Sequence, residues 1–231
     1  MVDAGLSRKE TFERLKAIEV DPTSLTAILI THEHSDHISG MQTIARTLNI
    51  PIFITRLTAD SIAWDEVPPH LEFFQAGGHL VIGDIGVASF TIPHDAADPV
   101  GFSLCAEGIK ISIATDLGYI PESIRFHLRG STVLLLESNH SLEMLKVGPY
   151  PWSVKQRVMS RVGHLSNDAA CDFVRDYLDL NTSRLILGHL SESNNHPELV
   201  RQAALQALEG RRLFTELIVA NPKQQIGPFT Y

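Results

Sequence analysis

A chain of 231 residues with 44% apolar and 20% charged side chains has ordinary globular composition and can bury one good core, so a single domain over residues 1–231 is expected. A formal net charge of −8 excludes a general basic surface for nucleic acid, and any phosphate binding has to be local. No apolar run approaches the roughly 20 residues of a membrane span, the N-terminus has no apolar signal region, and the two cysteines, Cys105 and Cys171, cannot form a disulfide framework; a cytosolic protein without membrane contact is expected.

The elements alternate along the chain. Ser7 to Ile18 reads as an amphipathic helix, with Ser7 and Glu10 in capping-box spacing and Phe12, Leu15 and Ile18 on one face. The Ile-rich run Leu25 to Thr31 reads as a buried strand, followed by a polar burst and a helix over 38–48. A strand over 51–55, a helix over 56–64 and an irregular connection over 67–78, rich in proline and glycine, come next. Residues 81–92, 100–106 and 110–115 are β-type runs separated by turn signals, as an antiparallel sheet requires. Residues 133–137 and 184–187 read as buried strands, residues 154–162, 167–178 and 197–208 as helices, and a last strand lies near Leu213 to Val219. Strands mixed with helices throughout predict a layered α/β domain.

Metal-binding side chains concentrate in Thr31-His-Glu-His-Ser-Asp-His37, at the end of an apolar strand, where α/β folds place functional groups. Strand alternation puts His32 and His34 on one side, while Asp36 and His37, at a helix start, face a second point a few ångströms away. This is ligand geometry for two metals. Imidazole and carboxylate without thiolate suit zinc, with manganese or iron as alternatives. A polar loop that merely contains three histidines is the bland alternative, but a helix start needs only one capping residue.

These residues resemble the HxHxDH signature of the metallo-β-lactamase superfamily, and later motifs agree in order. His94 in PHDAADP resembles the third-motif histidine, Asp116 in ATDLG the metal-bridging aspartate, and His189 in LGHLS the last metal-binding histidine. More specifically, DAGLSRK, THEHSDHISG, HDAADPVGF, LLLESNHSLEML, GPYPW and GHLSESNN resemble the YycJ/WalJ-like branch, cytosolic bacterial proteins regarded as nucleases. The resemblance implies an αββα sandwich: two sheets face to face, helices outside, metals at one edge between the sheets. Members of that branch begin with two strands and an SGS-x-GN loop ahead of the DAG motif. Here Asp3-Ala4-Gly5 follows Met1-Val2 directly, so the chain is expected to lack the first two N-terminal strands and to expose a sheet edge.

Two divalent cations, zinc or manganese, would make the site locally positive inside an acidic protein and draw anions to one spot. A water shared between them has its pKa lowered towards neutrality and serves as nucleophile, oriented or deprotonated by Asp36. His164, in RVGHLS, matches the position where related ribonucleases keep a histidine that contacts phosphate, and is the candidate proton donor to the leaving oxygen; a structural bridge in a turn is the alternative. His140 is a second candidate, hydrogen-bonding a substrate oxygen or orienting a ligand. Between Ser141 and His164, Lys146, Lys155, Arg157 and Arg161 face a single acid, Glu143, and Tyr150 and Trp152 lie beside prolines. Such a strip offers cations for phosphate, Lys155 and Arg157 among them, and aromatics for stacking. The expected function is a metal-dependent phosphodiesterase, a DNA exonuclease of 5′-to-3′ polarity by the resemblance. A thioesterase of the glyoxalase II kind, a β-lactamase-like hydrolase and a non-catalytic binding protein are the alternatives.

Overall fold

The computed structural model describes the chain except residues 210, 212–213, 222–223 and 231. Its strands form two sheets. The smaller contains β1 (Ile28–Leu29), β2 (Ile52–Thr55) and β3 (Leu71–Phe74), all parallel, with Val2 bridged to Leu29 at the β1 edge. The larger opens with an antiparallel meander, β4 (His79–Ile82), β5 (Ile85–Thr91), β6 (Val100–Ala106) and β7 (Ile109–Ala114). It continues in parallel through β8 (Val133–Glu137), β9 (Arg184–Gly188) and β10 (Glu216–Val219). The β6–β7 hairpin turns on Glu107 and Gly108, both at positive φ as a two-residue I′ turn requires.

Strand alternation sorts the apolar residues into three layers. Ile28, Ile30, Ile52 and Ile54 point outward from the small sheet and pack with Met41, Ile44 and Ala45 of α3 (Met41–Leu48). The neighbours in between, Leu29 and Phe53, point the other way and meet Val87, Val100 and Phe102 of the large sheet. Leu134, Leu136, Leu185 and Leu187 leave the far face of the large sheet. They pack against α5 (Glu122–Leu128), α8 (Asn167–Tyr177) and α9 (Pro197–Glu209). The order is helix, sheet, sheet, helix, as the resemblance implies. Among the described residues no helix is long and apolar enough to cross a membrane.

Several elements depart from the sequence reading. The connection over 67–78 contains β3, a four-residue strand whose exposed positions and flanking prolines hide its pattern. The helix expected over 38–48 is broken into α2 (Ser35–Ile38) and α3. The N-terminal segment passes so close that a Cβ on Gly40 would lie 1.9 Å from the Leu6 carbonyl oxygen, while the Gly40 N–H donates to Ala4. Helix α4 is only Arg56–Asp60, and α7 runs Trp152–Val158, entering straight after Pro151. Helices α5 and α6 (Leu142–Val147) are short and were not expected; α1 is Arg8–Ala17, capped by Ser7 as read. The last strand is β10; Leu213, where it was expected to begin, lies outside the described residues.

Candidate metal centre

Strands β5, β7, β8 and β9 run in one direction, so the loops after them meet at one edge of the large sheet. The loop after β1 arrives at the same place from the small sheet. These loops, with Glu137 at the end of β8, carry His94, Asp116 and His189 on one side and His32, His34, Asp36 and His37 on the other. Asp116 and His189 adopt positive φ, 59° and 56°, a conformation that costs a non-glycine residue roughly 1–2 kcal/mol and clusters at functional sites. Asp116 stands two residues after β7 and His189 directly after β9.

The seven candidate ligands converge. His34 Nδ1 lies 3.2 Å from His94 Nε2, and the His32 ring sits 4.6 and 5.0 Å from theirs. On the other side, His37 Nε2 is 3.3 Å from Asp116 and 3.7 Å from Asp36, and His189 Nε2 is 3.4 Å from Asp116 and 3.7 Å from Asp36. His32, His34 and His94 thus form one group whose ligand atoms lie within 4.8 Å of one another; Asp36, His37 and His189 form a second, and Asp116 stands between them. His32 Nε2 and one Asp116 oxygen are buried with no hydrogen-bond partner. Such orphaned atoms carry a desolvation cost unless something positive binds them. The residues therefore fit the divalent metal ions that the fold implies.

Behind the ligands lies a set of hydrogen bonds that fixes which ring nitrogen faces the centre. His37 Nδ1–H donates to Asp3 at 2.8 Å. The Thr31 hydroxyl donates to the same Asp3 oxygen at 2.9 Å, so the His32 Nδ1–H, 3.0 Å from that hydroxyl, donates to it. His94 Nδ1–H donates to the Gly163 carbonyl at 3.2 Å. His189 Nδ1 and His164 Nδ1 both donate to one oxygen of Glu137, at 2.7 and 2.9 Å, while the backbone N–H groups of Leu117 and Leu165 donate to its other oxygen. Each of these five imidazoles keeps Nε2 for the centre. His34 is the exception and presents Nδ1 to its neighbour.

The charges balance across this network. Burial lowers the His32 pKa to about 2, and the nearby His37 lowers it further. Burial acts the same way on His37, but the carboxylates of Asp116 and Asp3 beside it outweigh burial and hold that imidazole up at about 10. Asp36 sits well below the usual carboxylate range, first through the His189 imidazole beside it. Burial opposes ionisation of Asp116 and Glu137, yet the histidines around them keep both low. Burial lowers His94.

The centre opens into a cavity of about 530 Å³. His164 lines it beside the candidate ligands, as do Arg157, Tyr150 and the loop Ser191 to Asn194. Arg157 is paired with Asp95 at 2.9 Å, and Trp152 is 63% exposed nearby on α7. Two expectations are corrected. Lys155 is turned inward and donates to the Lys146 carbonyl at 2.8 Å, because α7 packs its stem against the fold; it offers no ammonium to a passing phosphate. His140 is 1% exposed and absent from the cavity wall, its backbone bridged to Ser166, so it cannot hydrogen-bond a substrate there. Sequence reasoning missed Asp3, Thr31 and Glu137 as supports of the centre; a lone carboxylate closing the apolar run VLLLE was the available signal for Glu137.

The match to a family model described as Beta-lactamase superfamily domain spans residues 1–190. The chain is 38% identical over 212 residues to exodeoxyribonuclease YycJ of Bacillus anthracis, covering 90% of this chain and 80% of that protein. It is 34% identical over 215 residues to exodeoxyribonuclease WalJ of Streptococcus pneumoniae serotype 2 strain D39, covering 90% and 79%. Among solved structures, the metallo-β-lactamase fold protein YhfI of Bacillus subtilis superposes with a TM-score of 0.71 at 16% identity, over 95% of this chain and 83% of that one. Motif order, layer order and these similarities converge: the chain belongs to the β-lactamase superfamily, in the branch that contains YycJ and WalJ.

Proposed function

We propose that the protein is a two-metal DNA exonuclease, acting as one domain over residues 1–231 on nucleic-acid ends in the cytosol. The observation that carries this reading is the arrangement of seven ligand side chains, front atoms converging and rear atoms tied to the protein, at the mouth of a cavity that also holds a histidine and an arginine. The names of the similar proteins supply DNA as the substrate. A complete ligand set speaks against a non-catalytic binding protein, and the two free cysteines suit a reducing compartment.

His32, His34 and His94 would hold one ion and Asp36, His37 and His189 the other, with Asp116 shared. Nitrogen and carboxylate donors without sulfur favour zinc, then manganese. When bound, two such ions supply Lewis-acid activation of water and of the phosphate oxygen. Asp36, whose side chain is 66% exposed, reaches the cavity from the solvent side and takes the proton of the attacking water. His164 is fixed by its Nδ1 on Glu137, so its Nε2 is the atom that delivers a proton to the leaving oxygen. Glu137 holds His164 and His189 with one carboxylate oxygen, coupling proton donor to ligand.

The test is metal content by mass spectrometry on the purified protein, followed by cleavage of 5′-phosphorylated DNA with added Mn²⁺ or Zn²⁺. About two ions per chain and stepwise release of nucleotides are expected, and Asp116→Ala is expected to lose both. Two ions without DNA cleavage, together with hydrolysis of a thioester or lactam, would move the protein to the small-molecule hydrolases of the same fold.

A further inference from the structure

Arg157 is the one lysine or arginine among the residues lining the cavity, whose wall also carries the carboxylates of Asp36, Asp95, Asp116 and Glu192. Its Nε donates to Asp95 at 2.9 Å. One N–H of the guanidinium, and a share of its charge, is therefore already given to a carboxylate, which a phosphate approaching it must compete with. Arg157 comes from α7 and Asp95 from the loop after β5, next to His94. Their backbones are held independently of the pair. The Asp95 N–H donates to the Val162 carbonyl, and a Cβ on Gly163 would lie 2.2 Å from the Arg157 and Val158 carbonyl oxygens, so the turn after α7 is closely seated. The side chains themselves stand in solvent, 61% and 55% exposed. An exposed pair of this kind is weak, whereas a phosphate offers the same guanidinium a stronger, bidentate acceptor.

We infer that Asp95 is a competitor built into the cavity: it occupies Arg157 until the phosphate adjoining the scissile one displaces it, and so sets how tightly a polynucleotide is held. This inference rests on the nuclease reading of the centre. A small ester with a single phosphodiester has nothing to offer Arg157. A polynucleotide brings a second phosphate to the same mouth and exchanges it for the Asp95 carboxylate. No bond is made or broken in the exchange. Asp95 in this role determines substrate preference through Arg157 and takes no part in chemistry.

The test measures binding of the metal-loaded protein to a fluorescein-labelled single-stranded oligodeoxynucleotide with phosphorothioate linkages, by anisotropy. Wild type, D95N, R157A and the double variant are compared, each first checked by thermal melting. D95N is expected to bind about threefold to tenfold more tightly than wild type and R157A more weakly by a similar factor, with most of the D95N gain lost in the R157A background and at high salt. The inference is overturned if D95N binds no better than wild type, as a purely structural clamp would require. It is equally overturned if D95N gains as much with Arg157 absent, as simple removal of negative charge would require. Absence of binding by all four proteins overturns the nuclease reading and the inference with it.

Discussion

At the scale of single residues, Glu137 has the widest reach. It is fully buried, and four donors converge on its two oxygens: two imidazoles and two backbone N–H groups. Glu137→Gln preserves the shape but replaces one acceptor oxygen by a donor, and since each oxygen serves two of these four donors, two of them lose their partner. Metal affinity is expected to fall about 10-fold to 100-fold, the usual effect of removing the outer support of a ligand histidine, and kcat to fall with it. Competition with a chelator and turnover on DNA measure the two separately; unchanged metal affinity would show that His189 holds its orientation without this carboxylate. His140 makes a separate prediction. Burial lowers its pKa to about 4, while the unfolded chain returns it to its ordinary value of about 6.5. Between these values the unfolded state binds more protons, so stability falls as pH drops from 6.5 towards 4, by up to about 3 kcal/mol from this group. His140→Phe is expected to remove that component in denaturant titrations of chelated protein, where His32 and His94 contribute equally to both proteins and cancel in the difference. The side chains that converge at the candidate centre were legible in the sequence because they stand in short motifs at strand ends. Glu137 was not, because its partners lie 27 and 52 residues away and only the folded sheet brings them to it.

At the scale of elements, the loops that carry the centre are held by close backbone approach. A Cβ on Gly118, two residues after Asp116, would lie 2.4 Å from the Arg161 carbonyl, in the turn that leads from α7 to His164. Gly118→Ala must therefore push that turn away. A loss of about 1–3 kcal/mol is expected from the overpacking, and a shift of His164 by an ångström would cost kcat up to about 100-fold. Gly130 provides the contrast: it also resists substitution, with φ at 70°, but nothing lies near its missing Cβ. Gly130→Ala is expected to cost about 1–2 kcal/mol in backbone strain with kcat unchanged. Thermal melts and turnover on the two variants separate a fold effect from a site effect; equal kcat losses would refute the role given to the turn. The longer strands and α8 follow from their periodicity and stand close to where they are read. The short elements β3, α5 and α6 do not, because four to seven residues carry too little pattern to outweigh their prolines and exposed positions. The division of the helix after the HEHSDH motif was illegible for another reason: the cause is a distant segment, Ala4 to Leu6, pressed against Gly40.

At the scale of the molecule, the centre lies across the seam between the sheets. His32, His34, Asp36 and His37 enter from the small sheet; His94, Asp116 and His189 enter from the large one. The apolar contact between the sheets is built from few fully buried residues, Leu29, Val87, Val100 and Phe102, with partly buried neighbours around them. The outer layers are better filled: a larger buried cluster packs the helices on the far face of the large sheet. Ions bound across the seam would thus tie together the layer pair with the smallest core of its own, and they would do so only in the folded chain. By mass action, ligand present at 1,000 times its dissociation constant adds about 4 kcal/mol, which for a chain of this size corresponds to a melting point roughly 8–16 °C higher. Chelation is therefore expected to lower the melting temperature by an amount of that order, and re-addition of zinc or manganese to restore it. Asp116→Ala, which removes the carboxylate standing between the two groups, should melt at one temperature whether or not chelator is present. A wild-type melting point indifferent to chelation would mean that the sheets hold together without the ions, and that the converging histidines and aspartates are organised by Asp3, Thr31 and Glu137 alone.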